Sequence, residues 1–297
     1  MKRRTLGNTG LEVSILGFGG APLGDEYGGI QATDATRAVH HAVDAGINFI
    51  DVAPYYGRTL AEERLGEALV GYRDKVVLAT KCCRYDYRGF DFSAERVHSD
   101  IDACLKRLKT DYIDVFQVHD VEFGEREQIL HETLPAMREV QASGKARFIG
   151  ITGLAVGMLH DLAAEFPVDT ILSYCHYNLL IDDLDTVLRP LAEERGMGLI
   201  NASPLHMGIL SSGREQDWHP APDEVKETGH KIADLCGSGA RSRLERSPGP
   251  SLQGWITTSA PMGSNSKSSF TSSFRRRMQP RLTRLPTPLG SLVPWKP

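Results

Sequence analysis

Short apolar runs and amphipathic stretches alternate along the first 236 residues. The runs fall at residues 15–20, 48–51, 76–81, 112–119, 148–152, 168–174 and 198–202. Between them lie stretches with helical period. Residues 33–45 put Ala38, Val39, Ala42 and Val43 on one face, with Thr33 or Asp34 placed to cap the start. Residues 60–70 turn Leu60, Leu65 and Leu69 inward and load the first turn with Glu62 and Glu63. Residues 93–108 line up Ile101, Cys104, Leu105 and Leu108. Further helices are predicted at 128–143, stopped by Gly144, at 156–165, at 182–195 with a bend at Pro190, and at 223–236. Before the first run, Gly7-Asn8-Thr9-Gly10 reads as the turn of a hairpin. Seven strand–helix units in strict alternation predict a parallel α/β barrel rather than an α+β fold.

An eighth unit is not legible. From Gly237 onward there are 12 Ser, 8 Pro and 6 Gly in 61 residues. The one strand-like run there is 255–258, and Pro261 and Gly263 follow at once. Charge changes at the same place: 24 Lys/Arg stand against 37 Asp/Glu before Gly237, and 10 against one after it. Such a composition buries too little apolar surface to offset ordering entropy, so residues 237–297 read as a basic, largely disordered tail, or as an out-of-frame end to a barrel spanning 1–236.

Four polar residues end or follow apolar runs: Asp51, Tyr56, Lys81 and His119. In a parallel barrel the C-terminal ends of successive strands converge on one face, where such barrels do chemistry. A phenol beside an ammonium and an imidazole is equipped to pass a proton at an alcohol or carbonyl oxygen. The ammonium is expected to lower the tyrosine pKa from its usual value near 10.

The chain resembles the aldo-keto reductase superfamily over roughly four-fifths of its length. The resemblance lies in 6–11, 54–57, 79–82, 89–97, 119–123, 147–154, 171–177, 202–205 and 218–221. It implies a (β/α)₈ TIM barrel whose eighth unit is missing or replaced. It also implies an oxidoreductase using NAD or NADP, with NAD favoured. The similarity is strongest to the branch that oxidises an aldose, such as L-galactose or L-fucose, at C1 to the aldonolactone. By resemblance Tyr56 is the proton donor or acceptor, Lys81 and Asp51 tune it, and His119 orients the reacting oxygen. Gly19, Thr152, Gly153, Tyr174, Ser203, Pro204 and Leu205 fall at cofactor-binding positions. Thr152 and Gly153 stand where many members have Ser-Asn, Tyr174 falls near a Gln, and Ala202 replaces a stacking Tyr. Tyr55, His176 and Trp218 are candidate sugar contacts, with a structural histidine and core packing as alternatives for the last two. A broad aldehyde or ketone reductase stays open, as does a family member impaired by loss of the C-terminal cofactor segment.

The rest of the sequence narrows the class. No apolar stretch is long enough to span a bilayer. Five cysteines without paired metal spacing predict reduced thiols in a cytoplasm and no metal site, and Cys82 and Cys83 read as packing residues. Gly17, Gly19 and Gly20 form no dinucleotide fingerprint, because no helix opens on them. The basic tail lacks the interleaved aromatic residues of a nucleic-acid surface. The expected partner is a small sugar, with no nucleic acid or membrane, and the protein is expected to be a monomer or homodimer.

Overall fold

The computed structural model describes residues 1–215, 217, 219–244 and 255–259. The leading segment folds as predicted. Arg3–Thr5 (β1) pairs antiparallel with Glu12–Ser14 (β2), with Arg4 opposite Val13. Leu6, Leu11 and Val13 are buried and pack with the barrel residues Phe49, Val77, Val115, Leu172 and Ile200. Asn48, at the foot of the next strand, takes the Ser14 N–H on Oδ1 (2.6 Å) and donates to the Glu12 carbonyl (2.8 Å). The hairpin therefore seals the N-terminal end of the barrel and leaves the C-terminal end for the site.

The barrel strands are Leu16–Gly19 (β3), Phe49–Asp51 (β4), Val77–Cys82 (β5), Ile113–Val118 (β6), Ala146–Gly153 (β7), Thr170–Tyr174 (β8) and Gly198–Ala202 (β9). Each is parallel to the next. Their outward apolar side chains meet the inward faces of the intervening helices in one continuous core that includes Leu65, Ile101, Phe116, Met137, Ile149 and Leu162. The eighth position is filled by Trp255–Ser259 (β10), the strand-like run of the sequence. It runs against its neighbours, pairing antiparallel with both β3 and β9 and closing the ring. The eighth strand position is thus occupied, by an antiparallel strand instead of a parallel one.

Several local expectations are corrected. The first barrel helix is Ala32–Asp44, and its N-cap position is Gln31 without a side-chain cap bond, so neither Thr33 nor Asp34 caps it. The Ser93 hydroxyl does cap Ala94–Leu108, accepting the Arg96 N–H. The predicted helix 128–143 begins as Arg126–Gln128, widens into a π turn at Ile129–Thr133 and continues as Leu134–Ala142. The helix predicted at 182–195 likewise has a π turn, Leu184–Leu188, before Arg189–Arg195. Each wide turn immediately precedes a proline-containing turn, with Pro135 and Pro190. A ring that lacks an N–H and crowds the preceding carbonyls is accommodated this way.

Compactness divides the chain into two units, residues 1–206 with 248–261, and residues 207–247 with 262–297. The described part of the second unit centres on the helix Asp223–Leu244, which runs past the predicted end at Cys236. Within it His230 pairs with Glu215 (2.6 Å) and Arg214 with Asp234 (2.8 Å). Among the described residues, no helix is long and apolar enough to cross a membrane.

Candidate active site

Register sets the site. Gly19 stands opposite Asp51, Asp51 opposite Ala79 and Ala79 opposite Val115, so β3 and β4 end level with each other while β5 and β6 run three residues further, carrying Lys81 and Gln117 past Asp51. Asp51 is the last residue of β4, Lys81 the penultimate residue of β5, and His119 follows β6 directly.

All four predicted residues come together. Lys81 is buried, and its ammonium donates to the Asp51 carboxylate, to the Val52 carbonyl (2.9 Å) and to the Tyr56 hydroxyl (3.3 Å). Its three protons are thereby all engaged. Gln117 Nε2 donates to the other Asp51 oxygen (3.0 Å). The His119 ring stands edge-on to Tyr56 (5.9 Å, 85°) and to Tyr55 (6.0 Å, 79°).

The turn that carries Tyr56 is fixed by close backbone contact. Gly57 has φ +62°, and a Cβ there would lie 2.3 Å from the Gly24 carbonyl oxygen. A Cβ on Gly24 would lie 2.5 Å from the Tyr56 carbonyl carbon. Glu26 accepts the Gly57 N–H (2.8 Å), and Arg64 donates to Asp25 (2.8 Å) and to the Leu23 carbonyl (2.6 Å). Segment 23–26 is thus clamped to the tyrosine turn.

Electrostatics correct one expectation. Burial raises the Tyr56 phenol above its ordinary pKa; the Lys81 ammonium pulls it down, but Asp51 pushes it up, and the net shift is upward. The ammonium does not make a phenolate here, because burial, with the Asp51 charge adding to it, outweighs its pull. Burial also disfavours the charged form of Lys81, yet Asp51 and Tyr56 hold it above the ordinary lysine value. His119 is pushed well below the usual imidazole range by burial, with Lys81 and Arg84 adding to the effect. It is therefore neutral at pH 7, a hydrogen-bonding group rather than a charge.

The remaining predicted residues lie around this centre. Thr152 and Gly153 end β7, and the buried Thr152 Oγ1 accepts the Asp120 N–H (3.2 Å). Tyr174 ends β8, and its hydroxyl reaches Glu122 Oε1 at 3.5 Å. Ser203, Pro204 and Leu205 form the turn after β9, with Ser203 at φ +48° and Leu205 exposed. His176 is buried and bound to Asp183 (3.3 Å), which favours the structural reading. Trp218 lies outside the described residues. Cys82 and Cys83 are buried and free, as packing residues are.

Sequence reasoning missed a polar layer beside these groups. Arg84 pairs with Asp120, and its guanidinium lies 3.8 Å from the Tyr55 ring centroid. Phe90 and Phe123 stack at 4.5 Å beside it. Asp120 and Glu122 follow His119 directly in sequence, and Arg84 stands three residues past Lys81. Charged residues immediately beyond a strand's catalytic end were the available signal.

The chain is similar to known proteins over most of its length. The aldo/keto reductase family model matches residues 15–261. L-galactose dehydrogenase of Arabidopsis thaliana is 46% identical, over 79% of this chain and 75% of that protein. D-arabinose 1-dehydrogenase of Saccharomyces cerevisiae is 31% identical, over 75% of this chain and 70% of that protein. Among solved structures, an aldo-keto reductase of Bacillus halodurans in its holo form is similar with a TM-score of 0.66 and 30% identity, each chain covered to 76%. A barrel closed at its lower end by a hairpin, with Asp51, Tyr56, Lys81 and His119 gathered at its upper end, thus accompanies matches that span most of the chain, and the chain belongs to the aldo/keto reductase family of oxidoreductases.

Proposed function

We propose that this protein is an NAD(P)-dependent dehydrogenase that oxidises an aldose at C1 to the aldonolactone. The observation that carries the reading is the Lys81 ammonium fixed between Asp51 and the Tyr56 hydroxyl, with neutral His119 alongside. The sugar class is supported by relatives named as dehydrogenases of L-galactose, D-threo-aldoses and D-arabinose.

Residues on this chain fit a nicotinamide. Two buried polar atoms, Ser173 Oγ near the end of β8 and Glu122 Oε2 in the turn after β6, lack hydrogen bonds among the described residues. Thr152, Gly153, Tyr174 and the 203–205 turn would hold the cofactor, with Gly19 leaving room at β3. When bound, the oxidised ring supplies the hydride acceptor and a positive charge that favours the phenolate.

The protein's own steps follow from the geometry. Neutral His119 donates to the reacting oxygen and orients it. Tyr56 takes the hydroxyl proton of C1 as hydride leaves that carbon. Lys81, held charged by Asp51, stabilises the phenolate during the transfer. A general base of this kind contributes roughly 10²–10⁴ in rate. Tyr55, with Arg84 against its face, walls the sugar side.

The test is reduction of NAD and NADP in the presence of L-galactose, L-fucose and D-arabinose, against oxidation of the reduced cofactors by a nitrobenzaldehyde. Preferred turnover of one sugar supports the reading. Turnover confined to the aldehyde would make the protein a general carbonyl reductase instead.

A further inference from the structure

Glu122 lies in the single turn Val121–Phe123 after β6 and has no part in the proton transfer described above. Its Oε1 accepts the N–H of Leu154 (2.8 Å), just past β7, and also faces the Tyr174 hydroxyl of β8. Its Oε2 is buried without a hydrogen-bond partner among the described residues. A Cβ on Gly153 would lie 2.3 Å from that oxygen. The carboxyl therefore occupies the space that a side chain at 153 would take, and it presents an unused acceptor there.

We propose that Glu122 accepts the carboxamide N–H of the bound nicotinamide, supplying from the β6 turn the polar contact that Gly153 cannot make. The inference rests on the nicotinamide reading above. Hydride transfer beside Tyr56 and His119 places ring carbon C4 there, and the carboxamide is borne on the adjacent carbon. It therefore meets the groups next to that point. Thr152 Oγ1 already accepts the Asp120 N–H, and the Tyr174 hydroxyl is shared between Asp120 and Glu122. Glu122 Oε2 and Ser173 Oγ are left without a partner among the described residues, and of the two it is Glu122 Oε2 that stands over Gly153. The residue is half-buried, and the terminal torsion of a glutamate is soft, so the carboxyl can turn Oε2 toward a ligand.

Protonation of the same carboxyl gives a second handle. Burial, reinforced by the Asp120 charge, raises it to about 7, while the Leu154 N–H, the residue's own backbone N–H and Arg84 pull it down. The charged and titratable groups that face it are Asp120 on its own turn, Arg84 beyond β5 and Tyr174 on β8. The carboxylate is the stronger acceptor, so dinucleotide affinity is expected to rise as pH increases through about 7.

The experiment is fluorescence titration of the full chain with NAD and with its acetylpyridine analogue, which carries a methyl group in place of the amide nitrogen. The wild-type chain is expected to bind NAD at least about tenfold more tightly than the analogue, as one charge-assisted hydrogen bond provides. Glu122→Leu should bind both alike. Glu122→Gln keeps the shape, guards against a folding failure of the first variant, and should lose the rise in affinity through pH 7. An undiminished preference for NAD in Glu122→Leu, or an unchanged pH dependence in Glu122→Gln, overturns the proposal. So does a change confined to the sugar KM, which would assign Oε2 to a sugar hydroxyl. If the wild-type chain binds neither dinucleotide, the nicotinamide reading itself falls and takes this inference with it.

Discussion

Replacing Lys81 by methionine tests the buried centre most directly. Lys81 and Asp51 are 1% and 2% exposed, and the ammonium is fully hydrogen-bonded. Methionine retains the apolar stem but leaves the Asp51 carboxylate with Gln117 Nε2 as its remaining side-chain donor. Breaking a buried ion pair from one side costs about 3–5 kcal/mol, because the other charge stays desolvated. In a domain of this size one kcal/mol shifts the melting temperature by about 2–4 °C. Lys81→Met should therefore melt about 6–20 °C below the wild type by calorimetry. The double variant Asp51→Leu/Lys81→Met removes both charges and should regain at least half of that loss, since an apolar pair of similar volume is often near neutral. Both variants should lose turnover, so stability and activity separate in the double variant. A melt of Lys81→Met within about 2 °C of the wild type, or a double variant no more stable than the single one, would refute the argument that an enclosed ion pair organises this end of the barrel.

Other expectations follow from the same geometry. Tyr56→Phe removes the transferable proton; kcat should fall by at least roughly a hundredfold while cofactor Kd from fluorescence titration stays within about twofold. Gly57→Ala drives a Cβ into the Gly24 backbone and should lower both the melting temperature and kcat, the latter because the Tyr56 turn must shift. Since His119 is neutral well below pH 6.5, the pH profile of kcat/KM should show no inflection near 6.5 from this residue, and His119→Ala should raise the sugar KM more than the cofactor Kd. Thr257→Pro removes an N–H from a strand that pairs on both sides and should lower the melting temperature by several degrees; an unchanged melt would mean that β10 does not close the barrel.

The sequence by itself determined the alternation of strands and helices, the lower hairpin and the four polar residues at the ends of β4, β5 and β6, including the turn that carries Tyr56. Each of these is a local signal: an apolar run of strand length, a helical period, a polar residue at a fixed place after the run. The wide turns before Pro135 and Pro190 were not legible, because period alone does not register one extra residue in a turn. The antiparallel entry of β10 was not legible either, since direction within a barrel depends on which free edges remain, here β3 and β9. The net upward shift of the Tyr56 pKa needed distances, for burial and the Asp51 charge together outweigh an ammonium that the sequence placed correctly. Glu122 shows the same limit: its meaning comes from an oxygen standing over Gly153, 31 residues away along the chain, and only the closing of β6 against β7 and β8 brings them together.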